Sequence, residues 1–212
     1  MDNFTLFGNR NIICGKSKSG KSCLLKYVLS SKKSKFQKIY VISGTEEING
    51  FYSTFIPKDC IFEKFSEDWI LKLITKLRDY KKQNNKLYNT LLVLDDLGGN
   101  KDFYNSNALQ TIFTQGRHYG VSVCILIQYI SQVQPILRCN ANFVIVGQSN
   151  QKSAEVLVDE FRFSNIDRAK FLKMYNNACN NFGFLVVNRD SNSDCNNLNT
   201  IYGIIKTPKH CL

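Results

Sequence analysis

At 212 residues, 43% of them hydrophobic and 21% charged, the chain has the size and balance of one α/β core and is short for two domains. It has no apolar run of about eighteen residues, which excludes a membrane-spanning helix, and Met1-Asp2-Asn3-Phe4-Thr5 lacks the basic and apolar regions of a secretory signal. A net charge of +11 and a pI near 9.3 point to a polyanionic partner, most commonly nucleic acid; the alternative is a solvated, lysine-rich surface.

Eight cysteines are scattered without a C-x-x-C pair, several of them inside apolar runs. They indicate neither a zinc site nor a disulfide framework, and imply a reducing, intracellular compartment.

The first ten residues read as a lead-in, with Phe4, Leu6 and Phe7 available to pack on a sheet. Asn11-Ile12-Ile13-Cys14 follows as a short apolar strand. Gly15-Lys16-Ser17-Lys18-Ser19-Gly20-Lys21-Ser22 then fits G-x-x-x-x-G-K-[ST], and an apolar-faced helix begins at Cys23. The two glycines let the backbone curl until successive N–H groups point at one anion. Lys21 reaches the β- and γ-phosphates in such a loop, the Ser22 hydroxyl ligates Mg²⁺, and the helix N-terminus adds its dipole. Residues 15–23 are therefore the expected ATP-binding segment. An ordinary Gly/Ser/Lys turn would not need a strand before it and a helix behind it.

Lys38 to Ser43 reads as a second strand, completing a βαβ unit. Residues 44–65 look irregular, with a short strand at Cys60-Ile61-Phe62. From Ser66, a plausible N-cap, Trp69, Ile70, Leu73, Ile74 and Leu77 recur at helical spacing. The opposite face carries Lys72, Lys76, Arg78, Lys81 and Lys82, which reads as a solvated face or as a stripe that meets DNA.

Thr90-Leu91-Leu92-Val93-Leu94-Asp95-Asp96 suits a strand buried on both faces that ends in two carboxylates, where open α/β sheets place their ligands. Asp95 would hold Mg²⁺ and Asp96 would orient or deprotonate the attacking water, the Walker B arrangement. A helix at 108–114 and Gly116-Arg117-His118-Tyr119-Gly120 lead into another apolar strand, Val121 to Ile127, ending in Gln128. A buried strand directly after Walker B, finished by a polar residue, is what the additional-strand class of P-loop ATPases requires between its Walker A and Walker B strands. Gln128 would position the attacking water or report the γ-phosphate; the alternative is a strand that simply ends in a polar residue.

Ile130 to Asn140 reads as a short helix interrupted by Pro135, and Asn142 to Gly147 as a strand. Lys152–Phe161 and Ile166–Ala178 read as amphipathic helices. Phe182–Val187 and Thr200–Ile205 read as terminal strands joined by a polar, mobile link.

The phosphate loop, the Leu-Leu-Val-Leu-Asp-Asp strand and the block from Gly116 through Gln128 to Leu137-Arg138-Cys139-Asn140 resemble the poxvirus-type genome-packaging ATPases of large DNA viruses and virophages. These belong to the FtsK/HerA superfamily, and the resemblance covers roughly residues 8–150. It implies a three-layer α/β P-loop domain with a mainly parallel sheet over residues 1–212, hydrolysing ATP with Mg²⁺ in a homo-oligomeric ring. The implied task is to move double-stranded DNA into a capsid in the host cytoplasm or viral factory, with a capsid vertex or other virion component as partner.

By position, Lys21 and Ser22 bind phosphate and Mg²⁺, Asp95 and Asp96 form the Walker B pair, and Gln128 is the sensor. The second acid is often Glu in the wider superfamily; Asp96 is one methylene shorter, so its water must sit closer. An arginine from a neighbouring subunit usually completes the site, and Arg117 and Arg138 are the candidates. A small-molecule kinase would need an arginine-bearing lid and an acceptor pocket, neither of which the helix from residue 66 resembles. A nucleotide-dependent DNA-binding adaptor would bind without turnover. The tail after residue 150 is too short for a nuclease domain, so no DNA cleavage is expected.

Overall fold

The computed structural model describes residues 6–161, 166–189 and 201–208. Its eight strands are β1 (Arg10–Cys14), β2 (Lys38–Ser43), β3 (Ile61–Phe62), β4 (Thr90–Asp95), β5 (Val121–Ile127), β6 (Phe143–Val146), β7 (Gly183–Asn188) and β8 (Tyr202–Lys206). They form one sheet in the order β3-β2-β4-β5-β1-β6-β7-β8. Pairing is parallel from β3 across to β6 and antiparallel at β6–β7 and β7–β8. The extra strand is where it was expected: β5 pairs with β4 on one side and β1 on the other.

Alternation along these strands divides the core into two layers. Leu92, Leu94, Val123, Ile125 and Ile12 face one way and join α3 (Glu67–Asn84), α5 (Asn107–Gln115), α7 (Gln151–Phe161) and α8 (Arg168–Ala178). Leu91, Val93, Cys124, Leu126 and Ile13 face the other way, against α1 (Lys21–Lys32) and the segment around Tyr52 and Ile56. Every residue of β4 and β5 is buried. Parallel sheets require this cover, which is why these strands read as unbroken apolar runs.

Ser66 caps α3 by accepting from Trp69 N, and Asp167 caps α8 by accepting from Lys170 N. The basic face of α3 is more engaged than a solvated stripe. The Arg78 guanidinium donates to Tyr119 OH at 3.1 Å and lies over its ring, while Lys81 donates to the carbonyl of His118. Both hold the 3-10 turn Gly116–Tyr119.

Three segments differ from the sequence reading. The stretch 130–140 is not one interrupted helix. It is a 3-10 turn, Ile130–Gln132, followed by a separate helix α6 (Pro135–Cys139) that Pro135 starts, where its missing N–H costs nothing. A further short helix, α4 (Lys101–Asn105), precedes α5. The irregular region holds α2 (Glu46–Asn49) and two 3-10 turns besides β3. Most of the link before β8 lies outside the described residues.

Candidate active site

The parallel strands β4, β5 and β1 point their C-terminal ends at one edge of the sheet, and every expected phosphate and Walker B residue collects there. The loop leaves β1 at Gly15, whose N–H donates to the carbonyl of Ile127 at 3.1 Å, while Lys16 N donates to Gln148 O at 2.8 Å. Gly20 closes the loop at φ +90°, a conformation that disfavours a side chain, and α1 begins at Lys21. The Lys21 ammonium donates to the carbonyls of Gly15 (2.8 Å) and Lys16 (3.1 Å), folding back over the loop. Burial lowers its pKa, although Asp95, Cys14 and Asp96 oppose the shift. Ser19 is 6% exposed and its Oγ has no hydrogen-bond partner, an orphan in a loop built for an anion.

Asp95 ends β4 and is buried. Its Oδ2 accepts from Ser22 Oγ at 3.2 Å and from Tyr52 OH at 2.6 Å. Burial raises its pKa, and the two hydroxyl donors hold the shift down. A hydroxyl and a carboxylate oxygen side by side at a phosphate loop are a donor set that fits a hard divalent cation. Asp96 turns out of the strand at φ +57° and stands exposed. Gln128 follows β5, and its Nε2 lies 3.5 Å from Asp96 Oδ1, too long for a strong bond. Gln132 steadies the end of this strand by accepting from the N–H groups of Gln128 (3.1 Å) and Tyr129 (2.9 Å). Lys21, Ser22, Cys23, Asp95, Asp96 and Gln128 line one cleft of about 390 Å³, together with Ser17 to Gly20 of the loop.

The two arginines lie elsewhere. Arg117 is exposed on the 3-10 turn that precedes β5, at the opposite edge of the sheet. Seven strand residues separate it from the Gln128 end, roughly 23 Å at the usual rise. Arg138 is held by contacts within the chain. It pairs with Glu160 at 2.5 Å and donates to the carbonyls of Val133 (2.9 Å) and Ile130 (3.4 Å).

A family model for the poxvirus A32 protein matches residues 5–200. The chain belongs to the poxvirus A32 protein family. Among relatives, it is 32% identical to uncharacterized protein 075L of Invertebrate iridescent virus 6 and 34% identical to uncharacterized protein 015R of Frog virus 3, over 72% and 68% of its length. It spans 59% and 45% of those two proteins. Among solved structures, it resembles the genome packaging NTPase B204 of Sulfolobus turreted icosahedral virus 2 in complex with AMPPCP. That match has a TM-score of 0.66 and 18% identity, and covers 97% of this chain and 100% of that one. The conjugation coupling protein TcpA of pCW3 matches at a TM-score of 0.57 and 16% identity, over 87% of this chain and 58% of that one. The shared fold is the α/β P-loop architecture described above.

Tyr52 is the residue of this A32-family site that the sequence reading missed. It lies in the stretch that looked irregular, yet it is 2% exposed and bonded to the Asp95 carboxylate. Burial pushes its phenol well above the usual range, so it is a hydrogen-bond donor at every working pH. Buried Glu46 holds it there, since its carboxylate accepts from Tyr52 N (2.9 Å) and Ser53 N (2.8 Å). The available signal was position: Gly44-Thr45-Glu46-Glu47 directly follows a parallel strand at its C-terminal end, the edge where such sheets keep their ligands.

Proposed function

We propose that this chain is the motor ATPase of a viral genome-packaging machine, hydrolysing ATP with Mg²⁺ to drive double-stranded DNA into a capsid. The observation that carries the chemistry is the meeting of Lys21, Ser22, Asp95, Asp96 and Gln128 in one cleft around a loop with an orphaned polar atom. Membership in the A32 family and the fold shared with a genome packaging NTPase support the task. The basic charge suits a partner gripped by its phosphates rather than read by its bases.

Each group has work within reach. The loop N–H groups and the N-terminus of α1 hold the phosphates, and Lys21 exchanges its two loop carbonyls for phosphate oxygens. Ser22 and Asp95 would hold the Mg²⁺, which supplies charge neutralisation on the β- and γ-phosphates. Asp96 and Gln128 bracket the attacking water. Its oxygen bonds to the γ-phosphorus, the bond to the β–γ bridging oxygen breaks, and Asp96 takes the water proton. Arg117, too far to serve its own subunit, enters the cleft of the next subunit in a homo-oligomeric ring and stabilises charge on the transferred phosphoryl group. Work inside an infected cell, at a capsid vertex, completes the reading.

The test is DNA-stimulated phosphate release by the full chain. Wild type turns over ATP without an acceptor molecule, and Lys21→Ala falls to background while keeping its melting temperature. Undiminished turnover in that variant would overturn the site. Turnover that needs a small acceptor would point to a kinase, and nucleotide-dependent DNA binding without turnover to an adaptor.

A further inference from the structure

The phosphate loop separates two clefts that share Lys18 and Ser19 as a common wall. The first is the hydrolytic cleft, on the β4–β5 side of β1. The second, about 240 Å³, lies on the β6–β7 side and is bounded by Gln148 and the turn Cys179–Gly183 between α8 and β7. A nucleoside triphosphate is a linear molecule. With its γ-phosphate beside Asp96 and Gln128, its nucleoside end leaves the loop on the side away from them, toward the second cleft.

The turn in that cleft has an unusual build. Asn181 and Phe182 are consecutive non-glycine residues in the left-handed region, at φ +51° and +55°. A bulky side chain is rare there, and such strain persists only where the surroundings impose it. Here they do. Gly183 N donates to Asn180 O at 3.0 Å, Thr207 N donates to Phe182 O at 3.2 Å, and a Cβ on Gly183 would lie 2.0 Å from the carbonyl of Ala178. The effect is to hold the Phe182 ring 45% exposed beside the phosphate loop instead of in the core.

The floor beneath is fixed too. Gly147 N donates to Cys14 O at 2.7 Å, and the Tyr175 hydroxyl bonds to Gly147 O (3.0 Å) and accepts from Ser149 N (2.9 Å), tying β6 and its following loop to the loop strand. Around the ring stand the amides of Gln148, Asn180 and Asn181, all exposed, and among the described residues no acidic one lines the cleft. An aromatic face flanked by amides that both donate and accept suits a flat, neutral heterocycle.

We propose that this cleft is the base-binding subsite of the ATPase, with Phe182 stacking on a purine and Gln148 and Asn181 reaching its edge. The proposal rests on the nucleotide-hydrolysis reading above. Stacking on Phe182 carries most of the affinity, because an aromatic face holds any purine.

The experiment compares ATP with inorganic tripolyphosphate, which has the phosphates but no base, by calorimetric titration of the full chain with Mg²⁺ present. Wild type binds ATP more tightly than tripolyphosphate. Phe182→Ala weakens ATP about ten-fold, toward the tripolyphosphate value, and leaves tripolyphosphate binding unchanged, which also shows that the loop is still folded. Phe182→Trp restores ATP binding, and its added tryptophan is quenched by ATP but not by tripolyphosphate. The one native tryptophan, Trp69, is packed on Tyr40 in the α3 layer and gives a constant background. Full ATP affinity in Phe182→Ala, or equal loss of both ligands, overturns the base subsite while Lys21→Ala still tests the phosphate loop. A wild type that binds neither ligand overturns both readings.

Discussion

Asp95 takes two hydroxyl donors on one carboxylate oxygen, and the two come from opposite ends of the reading. Ser22 belongs to a motif and is found by spacing. Tyr52 has no motif, and it reaches Asp95 only because Glu46 ties down the turn that carries it. A buried hydrogen bond to a charged acceptor contributes about 1.5–3 kcal/mol. Tyr52→Phe should therefore lower stability by about 2 kcal/mol and slow ATP turnover several-fold, while nucleotide binding measured without Mg²⁺ stays at the wild-type level. Denaturant melts and steady-state assays check it. Unchanged turnover would reduce Tyr52 to a packing residue.

At the scale of elements, buried parallel strands were the most legible part of the chain. β4 and β5 are apolar along their whole length because both faces are covered, and that pattern survives in the sequence as unbroken runs. Short elements were less legible. α4 has five residues and β3 two, too few to show a period, and the direction of β7 and β8 depends on which neighbour they meet. Arg138 shows the same limit on α6. The sequence makes it a candidate to reach a neighbouring subunit, yet it is tied to α7 through Glu160 and to two loop carbonyls. Its side chain is 14% exposed, so truncation leaves Glu160, itself 29% exposed, without its cation. Arg138→Ala should cost about 2 kcal/mol of stability, discounted for that solvent access, and reduce activity only in step with the folded fraction. Full stability with abolished hydrolysis would return Arg138 to the catalytic candidates.

Across the whole molecule, the sheet places Lys21 at the C-terminal end of its parallel strands and Arg117 at the other end, so in the proposed motor Arg117 would act on a neighbouring subunit's cleft. Mixing variants tests this directly. Lys21→Ala and Arg117→Ala are each expected to be inactive. A mixture of the two recovers part of the activity, because some interfaces join an intact phosphate loop to an intact arginine. No recovery from co-assembled variants, or full activity of Arg117→Ala alone, would remove Arg117 from the mechanism.

The linear chain determined the phosphate loop, the acid pair and the buried strands, since backbone curvature, metal chemistry and two-sided burial each impose residue types at short, fixed spacing. Tertiary structure decided the rest. Strand order brought Gln128 within 3.5 Å of Asp96 and carried Arg117 away from its own cleft, and packing delivered Tyr52 to Asp95 and the α8–β7 turn to the phosphate loop. Those meetings join residues remote in sequence, and their geometry is set by the sheet rather than by any local pattern.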